Sequence, residues 1–434
     1  MTRIFADGRR AIIVLIGTVV LTFTLSDSTW SGSAAPASSD ILLAQKSLQN
    51  TRDEMQKQLK EQKEKNVRSV KEMKEMLAGL RTMIKEKNMS FVVELNEMMK
   101  YQIAEITGAQ VPRNIDKEAK AQSDMGERLW QEFLKKYRDN QEKKKRESGQ
   151  DREKRNEYYE DIIQGDKTKD EDTEIYSYKE EDKSEEEKKD DHQTDIENAP
   201  SPDSTAFSWV SRGNVTPVKY QGVCGSCWAF TSAAVVESNY LIRKNVTLDL
   251  SEQHLLDCAE AQQPVYRGGQ IVYIKSDAGS CMGGWYGPVY EYLRTKSAAL
   301  ESRIPYQYRE STCRSAGIDQ YKIAAWGYVK PDAGIPTVRE MKEALCKYGP
   351  ISACVKATPA FQAYKSGIFD EFADCSGERD INHAITIVGW DDNKEAYLVK
   401  NSWGTQWGDK GYAWIKYGCN NIGYGAAWAV ISGL

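Results

Sequence analysis

Histidine is scarce in this chain, and the metal-binding patterns that depend on it are missing. Only His192, His254 and His383 occur among the 434 residues. Cys224 and Cys227 lie three positions apart in "QGVCGSCWAF", but no other pair of cysteines has this spacing. Because a structural zinc site takes four ligands, usually with a second Cys-x-x-Cys or two histidines, we expect no metal site and no cofactor.

Stretches of uniformly basic residues are also absent. The formal net charge is -5, and each Lys- or Arg-rich stretch is interspersed with acidic residues. Nucleic-acid-binding domains carry a concentrated basic surface, so the sequence predicts no nucleic-acid partner.

The first half of the chain contains no cysteine and few tryptophans. All nine cysteines follow residue 220, and nine of the eleven tryptophans follow residue 208. Because large aromatic side chains contribute much of the area buried in packed cores, we expect the core in the C-terminal part. The clustered cysteines, together with an apolar segment near the N-terminus, indicate an oxidising compartment.

The N-terminal segment has the three parts of a secretory signal. Arg9 and Arg10 precede the apolar run "AIIVLIGTVVLTFTL", and small residues with a cleavage site near Ala35 or Ala37 follow it. The run is shorter than the roughly 20 residues that span a bilayer. We therefore expect residues 1–37 to be a signal peptide or an uncleaved membrane anchor. Both direct the chain into the secretory pathway, to a lysosome or vacuole or outside the cell, and only the anchor would contact a membrane.

Residues 38–110 are expected to form a helical, amphipathic extension. This stretch has almost no Pro or Gly, and some of its apolar residues alternate spacings of three and four, as in a helical stripe. The residues of this stripe are Val70, Met73, Leu77, Leu80 and Ile84. Two heptads do not identify a coiled coil, so packing against its own chain and binding of a partner both stay open.

A charged linker precedes the folded domain. Residues 166–191 contain thirteen Asp or Glu and six Lys. Such a composition cannot bury enough apolar surface to fold, and exposed segments of this kind are readily cleaved. Residues 201–434, in which Gly, Trp, Tyr and Cys become frequent, are expected to form the folded domain.

Three residues of that domain have the chemistry of a nucleophilic site. Cys227 begins a buried helical pattern, His383 lies in the apolar β-type run "INHAITIVGW", and Asn401 lies in "VKNSWGTQWGDKGY". A cysteine is activated by a histidine that takes the thiol proton and is itself oriented by a third polar group. From these residues alone, a redox pair of Cys224 and Cys227 at a helix start is the alternative.

Five motifs follow one another in this domain. They are "TPVKYQGVCGSCWAF", "SEQHLLDC", "CMGGWYG", "NHAITIVGW" and "KNSWGTQWGDKGY". Over residues 205–434 the sequence resembles a papain-family cysteine peptidase of the cathepsin type, whose signature C-G-[SA]-C-[WY] precedes the His and Asn by about 130–150 residues. Here the separations are 156 and 174, and part of the excess is an apparent insertion at residues 259–280.

The resemblance implies an α+β, papain-like two-domain fold. It has a helical left domain and a β-barrel right domain, with the active-site cleft between them, and here the charged, helical extension precedes it. Within the cleft, Cys227 would be the nucleophile, His383 the general base and acid, and Asn401 the residue that orients His383. Trp403 would shield that hydrogen bond from water, and the Gln221 side chain would donate to the oxyanion.

The resemblance also implies covalent features. The expected disulfides are Cys224–Cys281, Cys258–Cys313 and Cys375–Cys419. Cys346 and Cys354 remain, either bonded to each other or as buried thiols, and we favour the thiols. Glycosylation sequons begin at Asn88, Asn214 and Asn245.

Substrate preference follows from the residues that match the family's cleft. Gly283 and Gly284 match the strand that pairs with an extended substrate peptide. The pocket for the second residue before the cut is matched by Trp285, Tyr286, Cys354, Ala384 and Gly425. None of these residues is acidic, so we expect a hydrophobic residue at that substrate position. A paired-His loop of the dipeptide-trimming kind is missing, which favours endopeptidase action.

A secreted peptidase of this kind is expected to be made as a latent zymogen. Residues 111–200 are interpreted as an inhibitory propeptide and acidic linker, with Trp130, Phe133 and Tyr137 in a helix that masks the cleft. Expected partners are peptide or protein substrates, the chain's own prosegment, and protein inhibitors of the cystatin type. The alternatives are a catalytically silent binding protein of the same fold and a transpeptidase or ligase.

Overall fold

The computed structural model describes residues 14–16, 19–21, 67–165, 200–317 and 320–432. Met1–Lys60 form one unit, described only through a short antiparallel pair, β1 (Val14–Ile16) and β2 (Val19–Leu21). The rest of the predicted signal or anchor, residues 38–66 of the predicted extension and most of the acidic linker lie outside the described residues. In the described part of the chain, no helix is long and apolar enough to cross a membrane.

The helical stripe of the N-terminal region forms helix α1 (Val70–Glu86). Ser69 caps it by accepting the Glu72 N–H, while the Glu72 carboxylate accepts the Ser69 N–H, as in a capping box. Met73 and Leu77 are buried in the same core cluster as the large sheet of the C-terminal domain. The stripe therefore packs against its own chain.

The prediction of a wholly helical extension is wrong at residues 91–93. Phe91–Val93 form strand β3, whose burial alternates and which pairs antiparallel with strand β11 (Tyr364–Phe369). Aromatic and β-branched residues fit a pleated, half-buried surface, and the edge of the sheet supplies hydrogen bonds that local helix formation would otherwise provide. A 3-10 turn (Glu97–Lys100), helix α2 (Ile103–Ile106) and the long helix α3 (Ile115–Gly165) complete this region.

The C-terminal domain has a helical half and a β half, so the expected α+β fold is confirmed. The helical half contains α4 (Cys227–Lys244), α5 (Glu252–Cys258) and α6 (Tyr286–Thr295). Two antiparallel pairs accompany these helices: β5 (Glu260–Arg267) with β6 (Gln270–Asp277), and β7 (Gly279–Ser280) with β8 (Gly283–Gly284).

The β half forms eight strands of a nine-stranded sheet in the order β3-β11-β14-β13-β12-β10-β15-β9, with β4 added beside β12; the edge strand β3 comes from the N-terminal region. Helices α7 (Val338–Tyr348) and α8 (Pro359–Gln362) accompany it. The remaining strands are β4 (Ala206–Ser208), β9 (Ile323–Tyr328), β10 (Ile351–Val355), β12 (His383–Asp391), β13 (Ala396–Lys400), β14 (Tyr412–Lys416) and β15 (Tyr424–Ile431). A final 3-10 turn spans Cys419–Asn421.

Two buried clusters meet where α4 begins against β12. One surrounds Trp228 and Tyr290, and the other surrounds Phe361, Trp390 and Trp407. The first residue of α4 and the first residues of β12 therefore face each other across the junction of the two halves, and they carry the side chains that sequence analysis selected.

Candidate active site

Cys227 is the first residue of α4 and is fully buried. Its Sγ accepts the backbone N–H of Ala384 at 3.4 Å, and the backbone N–H of Gly108, from the N-terminal region, also lies near it. Burial raises the pKa of the thiol to about 11, although these N–H groups partly counteract the shift. In this structure Cys227 is therefore a neutral thiol.

His383 is held by the two residues predicted to support it. Its Nε2 lies 2.8 Å from Oδ1 of Asn401, and because an amide oxygen only accepts, Nε2 carries the hydrogen. The ring stacks on Trp403 with the centroids 4.6 Å apart. Burial lowers the pKa of His383 to about 4, against the opposing effect of the Asn401 bond. Nδ1, which has no hydrogen-bond partner among the described residues, is the nitrogen that can take a proton.

The side-chain amide of Gln221 points into the site. The carbonyl groups that accept its hydrogen bonds there belong to this chain and not to a substrate. The N–H₂ group donates to the carbonyl of Cys224 at 2.9 Å and to that of Ile106 at 3.2 Å. Its Oε1 accepts the hydroxyl of Ser402, which fixes the amide orientation. The indole of Trp403 also donates to Ile106, at 3.0 Å. Two donors of the site therefore converge on one backbone oxygen.

The cleft is occupied by residues 107–110, here called the cleft segment. The N–H groups of Gly108 and Ala109 both donate to the carbonyl of Asn382 at 2.9 Å. The Gly284 N–H donates to Gly108 O at 2.8 Å, and the Gln110 N–H donates to Gly284 O at 2.9 Å. The strand predicted to bind substrate is thus already paired with the protein's own backbone.

The cleft segment is not the one that sequence analysis selected. Trp130 and Phe133, expected to mask the cleft, stack on each other, and Trp130 packs against Tyr348 and Arg243. The prediction that the helix carrying Trp130, Phe133 and Tyr137 masks the cleft is therefore wrong, because residues 106–110 make the contacts with Cys227 and Gln221. The small residues Gly108 and Ala109 in "TGAQ" could have indicated this segment, because larger side chains would not fit in the cleft.

The five predicted pocket residues come together in one buried cluster. The rings of Trp285 and Tyr286 stack with centroids 4.5 Å apart, and the Tyr286 hydroxyl donates to Gly425 O. Cys354 Sγ lies 3.7 Å from that hydroxyl, and Cys354 pairs with Ala384 in the β10–β12 register. Gly425 has φ +67°, and a Cβ there would lie 2.6 Å from the Trp285 ring.

Two of the three expected disulfides are present, Cys224–Cys281 and Cys258–Cys313. The expected Cys375–Cys419 bond is wrong for this structure, because both residues are free thiols. Sγ of Cys419 is instead engaged by the Phe372 N–H and by Oδ1 of Asn420, each at 3.4 Å. Cys346 and Cys354 are free thiols too, and Cys224 is bridged, which rules out a redox pair with Cys227.

The three sequons differ in accessibility. Asn88 and Asn245 are exposed, each at the end of a helix with φ 50°, whereas Asn214 is half-buried. Attachment of a glycan to any of them stays a prediction.

We expect Cys227 of the full chain to react slowly with iodoacetamide at neutral pH. The reactive species is the thiolate, and a thiol pKa of about 11 leaves little of it until the pH rises toward that value. At pH 8 the folded chain should react about 10²-fold more slowly than the chain unfolded in urea, whose thiol pKa is near 8.5. Mass spectrometry of the Cys227 peptide measures the rate. Equal rates in the two states would contradict the burial of this thiol.

Comparison with known proteins places this geometry in a family. The family model of the papain family cysteine protease matches residues 202–430. Digestive cysteine proteinase 2 of Homarus americanus is 33% identical over 226 residues, 51% of this chain and 64% of the relative. Procathepsin L of Rattus norvegicus is 35% identical over 225 residues, 49% of this chain and 60% of the relative. The chain thus matches less than two thirds of the length of these relatives.

Solved precursor structures share the fold over most of the chain. Digestive procathepsin L 3 of Tenebrio molitor larval midgut has a TM-score of 0.53 at 19% identity, and the recombinant stem bromelain precursor has a TM-score of 0.50 at 23% identity. Each likeness covers 83% of this chain and 90% of the other, and at these identities it shows the fold alone. Because the family model covers more than half of the 434 residues, the chain belongs to the papain family of cysteine proteases.

Proposed function

We propose that this chain is the latent zymogen of a cysteine endopeptidase. The observation that carries the proposal is the assembly of Cys227, His383 and Asn401 in a cleft that the chain itself fills. The peptidase domain would comprise residues 201–434, and the prosegment residues 67–165 with the linker that follows. In this proposal the cleft segment, and not helix α3 that follows it, makes the inhibitory contact.

In the active peptidase, His383 Nδ1 takes the proton from Cys227 Sγ, and the thiolate attacks the carbonyl carbon of the scissile peptide bond. Asn401 Oδ1 accepts the Nε2–H throughout, which keeps Nδ1 as the nitrogen that exchanges protons. The imidazolium then donates its proton to the leaving amine, and a thioester forms on Cys227. Water, deprotonated by His383, hydrolyses the thioester and restores the thiol.

Gln221 is proposed to stabilise the oxyanion of the tetrahedral intermediates together with the Cys227 backbone N–H. Its side-chain N–H₂ already donates to a carbonyl oxygen within the cleft, that of Ile106. The bond from Ser402 to Gln221 Oε1 holds the amide in that orientation before any substrate binds. Preorganised donors of this kind lower the barrier because they need no reorientation during the reaction.

Three features make the covered state inactive. The backbone of Gly108 lies beside the Cys227 thiol and donates its N–H to Asn382 O, so the cleft segment occupies the space in front of the nucleophile. Ala109 also runs parallel to Gly284, and this pairing blocks the edge that a substrate needs. Burial meanwhile favours the neutral forms of both Cys227 and His383. Cleavage in the acidic linker, near residue 200, would allow the prosegment to leave.

The pocket favours a hydrophobic substrate residue at the second position before the cut. Its walls are the aromatic rings of Trp285 and Tyr286, with Ala384, Cys354 and Gly425, and none carries a charge that would pair with Arg. The two disulfides support a place in the secretory pathway. The name of one relative, a digestive cysteine proteinase, favours a digestive setting outside the cell, and a lysosome or vacuole is the alternative. Cystatin-type inhibitors are the proposed protein partners of the open cleft.

Removal of the catalytic groups should separate a peptidase from a silent binding protein. After the prosegment is released, Cys227→Ala should abolish peptide hydrolysis, and Gln221→Ala should lower kcat/KM by about 10²–10³. Cys346→Ala, which removes a free thiol outside the site, is the matched control and should retain activity. Peptide binding without cleavage by the wild type would support the silent alternative. Products extended by an added amine in preference to water would support the ligase.

Fluorogenic peptides that differ only at the second position before the cut test the pocket. The released peptidase should cleave the Leu and Phe peptides with kcat/KM at least about tenfold above the Arg peptide, because an unpaired Arg in an apolar pocket loses its hydration. A preference for the Arg peptide would contradict the proposed specificity, but it would not contradict the proposed peptidase activity.

A further inference from the structure

The β5–β6 hairpin, Glu260–Asp277, contacts helix α3 where the chain leaves the cleft. Only residues 111–114 separate the cleft segment from Ile115, at the start of that helix. Val265 of the hairpin is 1% exposed and lines the same small space as Ile115 and Ala119 of the helix. The space between hairpin and helix is only about 20 Å³, so the two surfaces are closely packed.

Polar contacts continue the same interface along the helix. The Tyr266 hydroxyl donates to the Asp124 carboxylate at 3.1 Å, and the Arg267 guanidinium lies 4.0 Å from the Glu118 carboxylate. The helix residues in these contacts, Ile115, Glu118 and Asp124, are spaced by three and six positions. The hairpin therefore contacts α3 over several turns.

The helix is seated on the peptidase domain beside the hairpin as well. A Cβ added at Gly126 of α3 would lie 1.8 Å from the carbonyl oxygen of Trp326 in β9. At the base of the hairpin, the Ala278 N–H donates to Ala259 O at 2.9 Å, and the Trp285 N–H donates to Ala278 O at 2.7 Å. The hairpin is therefore continuous with the wall of the substrate pocket.

We infer that the hairpin is a docking surface for α3 and anchors the prosegment outside the cleft. The inference rests on the proposed inhibitory role of the prosegment. Within the cleft, Gly108, Ala109 and Gln110 are held mainly by backbone bonds and bury little apolar area. A helix docked four residues away keeps this segment at a high local concentration. Because the hairpin lies in the insertion at residues 259–280, this anchor is an addition to the plan that the family resemblance implies.

The experiment uses the full chain with a recognition sequence for a specific protease placed in residues 166–199. After nicking, the rate at which a thiol-directed peptidyl epoxide labels Cys227 reports escape of the prosegment. Val265→Asp places a charge in the interface, and Gln262→Asp places the same charge at an exposed position of the same strand. We expect labelling to be about tenfold or more faster for V265D and unchanged for Q262D.

A second variant covers the case in which V265D fails to fold. Tyr266→Phe combined with Arg267→Ala removes two polar contacts without burying a charge, and should speed labelling about three- to tenfold. Once the prosegment has been removed, all variants should label at the wild-type rate. Equal labelling of wild type and both hairpin variants after nicking would overturn the inference. Rapid labelling of the un-nicked wild type would instead refute the inhibitory role itself.

Discussion

The approach of Gly108 to the catalytic residues is the contact on which the rest of the covered state depends. A Cβ at this position would lie 2.0 Å from the carbonyl oxygen of Gly225, so only glycine brings the backbone this close to the loop just before Cys227. With Gly108 in this position, the cleft segment hydrogen-bonds to Asn382 and Gly284. Just before it in the chain, the Ile106 carbonyl accepts hydrogen bonds from Gln221 and Trp403. One small residue thus sets the register of the whole cleft segment.

Burial by this segment also accounts for the electrostatic state of the site. A charged thiolate–imidazolium pair needs either water or close partners, and burial supplies neither, so the pKa of Cys227 rises and that of His383 falls. In the proposed active form, the uncovered site would regain solvent and the attraction between the two groups. The filled cleft and the neutral forms of Cys227 and His383 therefore have the same cause, the position of the cleft segment.

The residues proposed to be catalytic could be selected from the sequence because their chemistry restricts both residue type and local sequence. Cys227, His383 and Asn401 each stand in a motif, and helix α1 has a periodicity that any amphipathic helix shows. The pairing of β3 with β11 and the path of residues 106–110 depend on contacts hundreds of residues away in the chain, which local patterns do not encode. The β5–β6 hairpin does have a local signal in the sequence, Gly268–Gly269 between two β-type runs. All three disulfides were expected from the resemblance alone; Cys224–Cys281 and Cys258–Cys313 are present, whereas Cys375 and Cys419 are free thiols.

Hydrogen exchange at the amides of Gly284 and of residues 108–110 tests the central claim, that the chain's own backbone fills the cleft, most directly. The Gly284 N–H donates to Gly108 O, and the N–H groups of Gly108, Ala109 and Gln110 are all bonded. The account predicts that these four amides are protected in the full chain and that Gly284 loses protection when the prosegment is removed. Exchange of residues 108–110 at the rate of an unstructured peptide, in the intact folded chain, would contradict it.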